Sequence, residues 1–341
     1  MKKIFKMLTL LIAATMLFVS CGKKEEPAAK ESGEKKVVIK LSTKFVQDEQ
    51  TAKSLVRVAE KIKERSNGNI DIQVYAGGQL PIGKDSMEQV ANGANWISVD
   101  GLNFIGDYVP DFNAINGPML YKNFDEYLAM TKSDLVKKLK NEAEEKGIKV
   151  LSLDYLFGFR SMLTDKVVKT PADLEGVKVR VPNSQLYMYT LEAMGANPTP
   201  LPFTEVYSGI QQGVVDGLEG SLMTIYGTKI YEVRKNVSLT NHLLGVSAVS
   251  ISKTVWEGLS ENQRTIIQEE FDAGARYNNE VTVTLEKEYR VKLEELGVMF
   301  NEVDLPSFNK QTSKVFSKFP KWTPGIYDQI EKELETIRAK Q

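Results

Sequence analysis

Hydrophobic and polar positions recur along this chain at two periods, and the switches between them predict a succession of short strands and helices. Residues 37–41 read as a buried strand, 50–66 as an amphipathic helix closed by the turn Asn67-Gly68-Asn69, and 70–75 as a second strand. A Gly-Gly turn at 77–78 leads to a helix over about 84–92, followed by short strands near 96–99 and 114–115. A long charged helix is expected over 125–145, then a strand over 150–155. Strands alternating with helices imply an α/β fold with a largely parallel sheet covered on both faces.

The stretch 170–221 carries the clearest local signals. Val177, Val179 and Val181 alternate with Lys178 and Arg180, the period of a half-buried strand. Pro182 cannot donate to a sheet ladder, so the strand ends there with Arg180 near its carboxyl end. Asn183 and Ser184 offer cap chemistry for a helix to about Met194, which Gly195 ends. A strand end, an arginine, an amide and a helix N-terminus thus converge, and in open α/β sheets such a crevice takes small ligands, here an anion such as a carboxylate. Beyond it, Thr204 is expected to cap a helix to Gln212, 217–219 to form a strand, and 222–231 another helix.

From Glu261 to Leu296 there is no proline and one glycine, Gly274, with Ser260 as a cap and Gly297 as a stop. Such a helix is roughly 50 Å long, more than the roughly 30 Å width of a small domain. It is therefore expected to bridge two lobes; a coiled coil fits less well, because the heptad lapses through 286–290. A short strand and two helices, 306–319 and 324–338, complete the chain.

Composition adds limits. The 341 residues are 42% apolar with a formal net charge of −1, enough for a large core and without the basic footprint of a nucleic-acid binder. Lys2, Lys3 and Lys6 precede a short apolar run ending at Val19, so 1–20 read as a signal peptide. The chain's single cysteine, Cys21, follows directly, which excludes an internal disulfide and resembles a bacterial lipoprotein cleavage site, although Phe18 stands where leucine is usual. The alternative is an ordinary secretory signal with an incidental cysteine. Residues 21–36, charged and small, make a flexible tether behind that lipid anchor.

The chemistry missing from the chain narrows function further. There is no HExxH, paired Cys, GxSxG, Walker loop or GxGxxG, so no metal and no cofactor is expected. The one histidine, His242, lacks a ligand cluster and reads as a hydrogen-bonded structural side chain. Asp216 and Glu219 lie close enough in sequence to suggest acid–base work, but nothing else supports catalysis.

Three segments, TPADLEGVKVRVPNS, GANPTPLPFTEVYSGIQQGVVDGLEG and KIYEVRKNVSLTNH, resemble the DctP-like substrate-binding proteins of tripartite ATP-independent periplasmic (TRAP) transporters, with weaker similarity from about Val37 to the C-terminus. The resemblance implies a two-lobed periplasmic-binding-protein fold (type II-like) with a long helix across both lobes. Lobe I would comprise 37–157 plus 246–285 and lobe II 158–245 plus 286–341, the chain crossing near 157–159. It implies a non-catalytic, monomeric protein outside the cytoplasm that captures a small dicarboxylate or sugar acid and delivers it to a TRAP membrane permease. Arg180 would hold the ligand carboxylate through its planar fork. Arg160 stands at the position of a second ligand arginine, Phe203 at that of a packing aromatic, and Asn183 could donate its amide. Lys44 and Asp100 fall near positions that complete such sites from the first lobe. Glu219 belongs to the binding framework, and Gly220 replaces an asparagine common in the family, which leaves the ligand's identity open. A binding protein of an ATP-driven importer, or an exported sugar-acid hydrolase or lyase, are the alternatives.

Overall fold

The computed structural model describes residues 35–340. Cys21, the signal peptide and nearly all of the tether lie outside the described residues.

Nine strands form one sheet: β1 (Val37–Thr43), β2 (Ile70–Tyr75), β3 (Trp96–Gly101), β4 (Ile148–Thr164), β5 (Lys178–Val181), β6 (Asn197–Pro200), β7 (Gly217–Gly220), β8 (Asn236–Ser252) and β9 (Met299–Asn301). Their order is β2-β1-β3-β8-β4-β7-β5-β6, with β9 pairing parallel to the start of β8. β1 is parallel to β2 and β3, and β5 is parallel to β6 and β7. Two parallel triplets therefore flank a central antiparallel pair, β4 and β8, each 17 residues long. Strands buried on both faces need near-continuous apolar or small side chains, and β3 and β7 are buried throughout.

The two long strands are not regular. Their register shifts four times between Val150 and Met162, and Gly158 within the irregular stretch takes φ +99°, open to glycine at no steric cost. Bulged backbone must find partners elsewhere. Asn279 Oδ1 accepts from Leu156 N at 3.0 Å and its Nδ2 donates to Asp154 O at 2.8 Å, while Asn278 Nδ2 donates to Leu156 O at 2.8 Å.

Both asparagines belong to the helix Glu261–Glu295, 35 residues long and begun by a capping box of Ser260 and Gln263. Near its start Glu269 and Glu270 pair with Arg65 of the helix Gln50–Arg65, and toward its end Tyr289 stacks on Tyr226 at 4.2 Å. The helix thus contacts structure beside both triplets. Apolar cores lie beneath each: Leu55, Val99, Ile251 and Phe271 near the first, Val206, Leu218, Val237 and Leu293 near the second. A third, built from Phe112, Val150, Leu186, Phe308 and Ile330 among others, joins the C-terminal helices to both.

The mixed α/β class and the long helix are as expected, and several local expectations are corrected. Thr204 does not cap a helix to Gln212: it lies inside the 3-10 turn Phe203–Glu205, and the helix Val206–Gln211 starts after it with no side-chain cap. Residues 114–115 are not a strand: Pro110, already helical at φ −53° and ψ −33°, starts the helix Asp111–Ala114. The single helix expected over 125–145 is two, Phe124–Met130 and Asp134–Glu145, because Ser133 caps the second by accepting from Val136 N. The strand over 150–155 runs on without a break through 157–159 to Thr164. The helix expected over 222–231 stops at Gly227, with Lys229 in the left-handed region.

Gly274 marks the closest approach of the long helix to the core. A Cβ there would meet Val58 Cγ2 at 2.2 Å and the Tyr155 hydroxyl at 2.6 Å. Alanine favours a helix over glycine by up to about 1 kcal/mol, whereas overpacking costs about 1–3 kcal/mol. Gly274→Ala should therefore lower the melting temperature, and a rise would show that this packing is loose.

Candidate functional site

The site lies where the carboxyl ends of both parallel triplets face each other. Lys44 follows β1, Asp100 sits near the end of β3, and Arg180 is the penultimate residue of β5. They border a cavity of about 670 Å³. One wall comes from Lys44, residues 78–85, Asp100, Asn103 and Phe104; the other from Arg160, Arg180, Pro182, Asn183, Tyr187, residues 200–204 and Thr224.

Arg160 and Arg180 are both buried, yet they differ in partners. Arg160 projects from β4 toward Glu219 on β7, whose neighbour across the ladder is Met162. Its Nε and Nη2 donate to the two carboxylate oxygens at 2.5 and 2.6 Å, and Nη2 also reaches the Glu219 carbonyl at 3.1 Å. Burial disfavours ionisation of Glu219, but Arg160 outweighs it and holds the pKa down to about 2. His242 lies behind this pair, its Nδ1 2.8 Å from Thr240 Oγ1. Its Nε2 is 3.5 Å from Glu219 Oε2, too long to satisfy the nitrogen, and burial pushes its pKa down. It is the structural histidine expected.

Arg180 has no such carboxylate. Among the described residues its one hydrogen bond runs from Nε to Leu201 O at 2.9 Å, and the guanidinium lies 5.5 Å from the Phe203 ring. Burial, with Arg160 adding to it, lowers its pKa to about 10. A buried cation without a partner is costly, and an anion in the cavity would offset that cost.

The facing wall is closer to neutral. Lys44 Nζ stands 3.6 Å from Asp100 Oδ1 and 5.9 Å from the same Phe203 ring. Asp100 also accepts from Gly101 N at 2.7 Å and Gly83 N at 2.8 Å. Lys44 has a lowered pKa, through burial first, with Asp100 opposing and the two arginines assisting.

Of the residues picked out from sequence, Lys44, Asp100, Arg160, Arg180, Asn183 and Phe203 all line this one cavity. Glu219 and Gly220 do not; they stand behind it, Glu219 as the anchor of Arg160. Asp216 accepts from Lys178 N at 2.8 Å and is not joined to Glu219 in a catalytic pair. Sequence reasoning missed Tyr187, Thr224 and Asn103. Tyr187 could have been found, because it lies in the first turn of the helix Gln185–Ala193, whose start was placed at the crevice; its ring carries Arg160 at 5.2 Å. Asn103, in a three-residue 3-10 turn, gives no such signal. The described residues hold no cluster of groups suited to a metal ion, and none of their helices is long and apolar enough to cross a membrane.

A crevice between two sheet ends, walled by buried charge, is the setting in which a small solute is bound. The chain belongs to the DctP family, bacterial extracellular solute-binding protein family 7, whose model matches residues 41–321. It is similar to a TRAP periplasmic solute-binding protein from Fusobacterium solved with bound sn-glycerol-3-phosphate, at 60% identity and a TM-score of 0.88, covering 89% of this chain and 99% of that one. A second, from Desulfovibrio salexigens in complex with diglycerolphosphate, is 50% identical with the same TM-score, covering 89% and 98%. A third, from Actinobacillus succinogenes with bound L-galactonate, is 32% identical at a TM-score of 0.85, covering 88% and 100%. The family is one of binding proteins, not enzymes.

Removing the Glu219 charge should expose how much Arg160 depends on it. Glu219→Gln leaves a buried cation unpaired and should cost about 3–5 kcal/mol in urea unfolding at pH 7. Because the folded pKa of about 2 lies below the ordinary 4.5, the carboxylate stabilises the fold fully above pH 4.5 and progressively less toward pH 2. The gap between wild type and variant should therefore narrow over that window; a gap independent of pH would contradict the ion pair.

Proposed function

We propose that this protein captures a small organic phosphate of the glycerol phosphate type and delivers it to a TRAP membrane permease. The observation that carries this is Arg180, a buried guanidinium at the cavity whose Nη groups find no carboxylate among the described residues. Around the cavity, Lys44, Lys84, Arg160 and Arg180 oppose Asp85, Asp100 and, behind the wall, Glu219, which leaves one net positive charge for a ligand to neutralise. Either a carboxylate or a phosphate suits a guanidinium fork. Two relatives, solved with sn-glycerol-3-phosphate and diglycerolphosphate at 60% and 50% identity, favour phosphate. The more distant relative with L-galactonate supports a sugar acid as the second reading, with Arg180 gripping its carboxylate.

The arrangement of the sheet supports capture by closure. Each parallel triplet supplies one wall of the cavity, and the irregular pair β4 and β8 joins them. We infer that lobe I comprises 37–157 with 246–285 and that lobe II comprises 158–245 with most of 286–341. The C-terminal segment also grips the first half, since Arg338 pairs with Glu126 at 2.9 Å. Lipid anchoring through Cys21 completes the proposal: a tethered binding protein stays close to its permease. Cys21→Ala should release the native protein from the detergent phase and abolish fatty-acid labelling; an unlipidated, correctly cleaved wild type would end that part of the proposal.

Calorimetry with sn-glycerol-3-phosphate tests the site directly. Arg180→Ala leaves the anion without its fork, a loss costing about 2–5 kcal/mol, so affinity should fall roughly thirty-fold to several thousand-fold. Arg180→Lys keeps the charge, loses the fork, and should still bind markedly worse than wild type. Lys178→Ala, at an exposed position of the same strand, should change little. A folded Arg180→Ala that binds within a few-fold of wild type would refute the clamp. Binding of L-galactonate in preference to glycerol phosphate would select the sugar-acid reading.

A further inference from the structure

The two proposed lobes touch in more than one place. At the cavity, Gly78 of the first lobe lies against Thr204 of the second, where a Gly78 Cβ would meet Thr204 Cγ2 at 2.9 Å. Outside the cavity the lobes meet again, between Glu49 and Gly227. Glu49 precedes the helix Gln50–Arg65, and Gly227 ends the helix Leu222–Gly227. A Cβ on Gly227 would stand 2.5 Å from Glu49 Cγ, so the glycine makes room for the carboxyl side chain. Glu49 is 4% exposed there. Its Oε2 accepts from Val46 N at 2.8 Å, and its Oε1 has no hydrogen-bond partner.

A buried carboxyl with one backbone donor is tolerable as a neutral acid and costly as an anion. The groups around Glu49 do little to favour the anion. In the segment before it stand Asp48 and Lys44; Lys44 assists ionisation but already pairs with Asp100. The helix Leu222–Gly227 brings Tyr226, and the long helix brings Tyr289 and Lys292. Lys292 pairs with Glu288 at 3.6 Å, and Tyr289 stacks on Tyr226. The Tyr289 pKa is itself raised, by burial first, with Tyr226, Glu288, Glu49 and Asp48 adding to it. Burial therefore prevails at Glu49 and raises its pKa to about 8. When the lobes part, water reaches the carboxyl and its pKa returns toward the ordinary 4.5. We propose that Glu49 is a proton-operated latch between the lobes, permitting closure when neutral and favouring opening, and so ligand release, when ionised. This rests on the proposed closure of two lobes and adds its regulation. Closing takes up a proton between the open and closed pKa values, so affinity is greatest in acid and declines as pH rises toward 8.

Calorimetry of sn-glycerol-3-phosphate binding to the wild type and to Glu49→Gln, from about pH 5 to about pH 8, reads the latch. The phosphate itself titrates near about pH 6, so the result is the ratio of the two affinities at each pH, in which the ligand's own titration cancels. Relative to the variant, wild-type affinity should fall by about ten-fold or more across that range. At about pH 7.5 binding to the wild type should also take up part of a proton, measured in buffers of different ionisation enthalpy, and binding to Glu49→Gln should take up less. Thermal melting without ligand confirms that the variant is folded and separates a latch from static burial. A ratio of affinities that does not change with pH would overturn the latch. Were the ligand-free melting gap to widen with pH at the same time, Glu49 would be buried whether or not the lobes close. L-galactonate, whose carboxylate stays ionised throughout, repeats the measurement. Should it bind where sn-glycerol-3-phosphate does not, phosphate capture fails, and the same ratio measured with L-galactonate still upholds or overturns the latch. A wild type that binds neither ligand would overturn both.

Discussion

The ion pair between Arg160 and Glu219 sets the character of this site. It joins β4 to β7 inside the protein, with both side chains almost fully screened from water. Breaking such a pair is far more costly than never having made it, because each partner would strand a buried charge. The pair therefore fixes where Arg160 points, and it also consumes the buried carboxylate that could have answered Arg180. Arg180 is left with a carbonyl and an aromatic face. A buried cation that Glu219 would otherwise answer is thereby left at the cavity wall.

That electrostatic arrangement needs a frame that brings two sheet ends together without filling the gap. Two parallel triplets present their carboxyl ends to one space, and a long antiparallel pair connects them. Regular strands of 17 residues would make a stiff connection, whereas these shift register four times and take some of their missing backbone partners from Asn278 and Asn279. The helix Glu261–Glu295 is therefore more than a brace. It satisfies the irregular backbone of β4 while packing beside structure at both ends of its length.

Much of this was legible in the sequence where local chemistry and burial agreed. Val177, Val179, Val181 and Pro182 defined β5 and its end, which placed Arg180 correctly at the crevice. Ser260 and Gly297 bounded the long helix to within a residue. Other failures come from information that resides in tertiary pairing. Nothing in the alternation of residues 148–164 reveals one long bulged strand where only 150–155 was expected, because the bulges are repaired by residues more than a hundred positions away. Asn103 was invisible for a similar reason: it joins the cavity lining only through a wall assembled by β3 and the residues before Gly83. Glu219 was recognised as framework, but its partner Arg160 could be taken only as a second ligand arginine until their distance was known.

The same electrostatics explain why the site binds without transforming. Acid–base work needs a group poised near neutral pH and within reach of the ligand. Glu219 is held at about 2 by Arg160 and has no proton to give. Asp100 spends both oxygens on backbone N–H groups. His242 is buried behind Glu219 with a lowered pKa and does not line the cavity. A carboxyl that burial does raise, to about 8, is Glu49, which lies against Gly227 and also stands outside the cavity lining. Glu219, His242 and Glu49, whose pKa values burial and charge shift, all stand outside the wall that faces the cavity. Such a wall can grip an anion and release it intact.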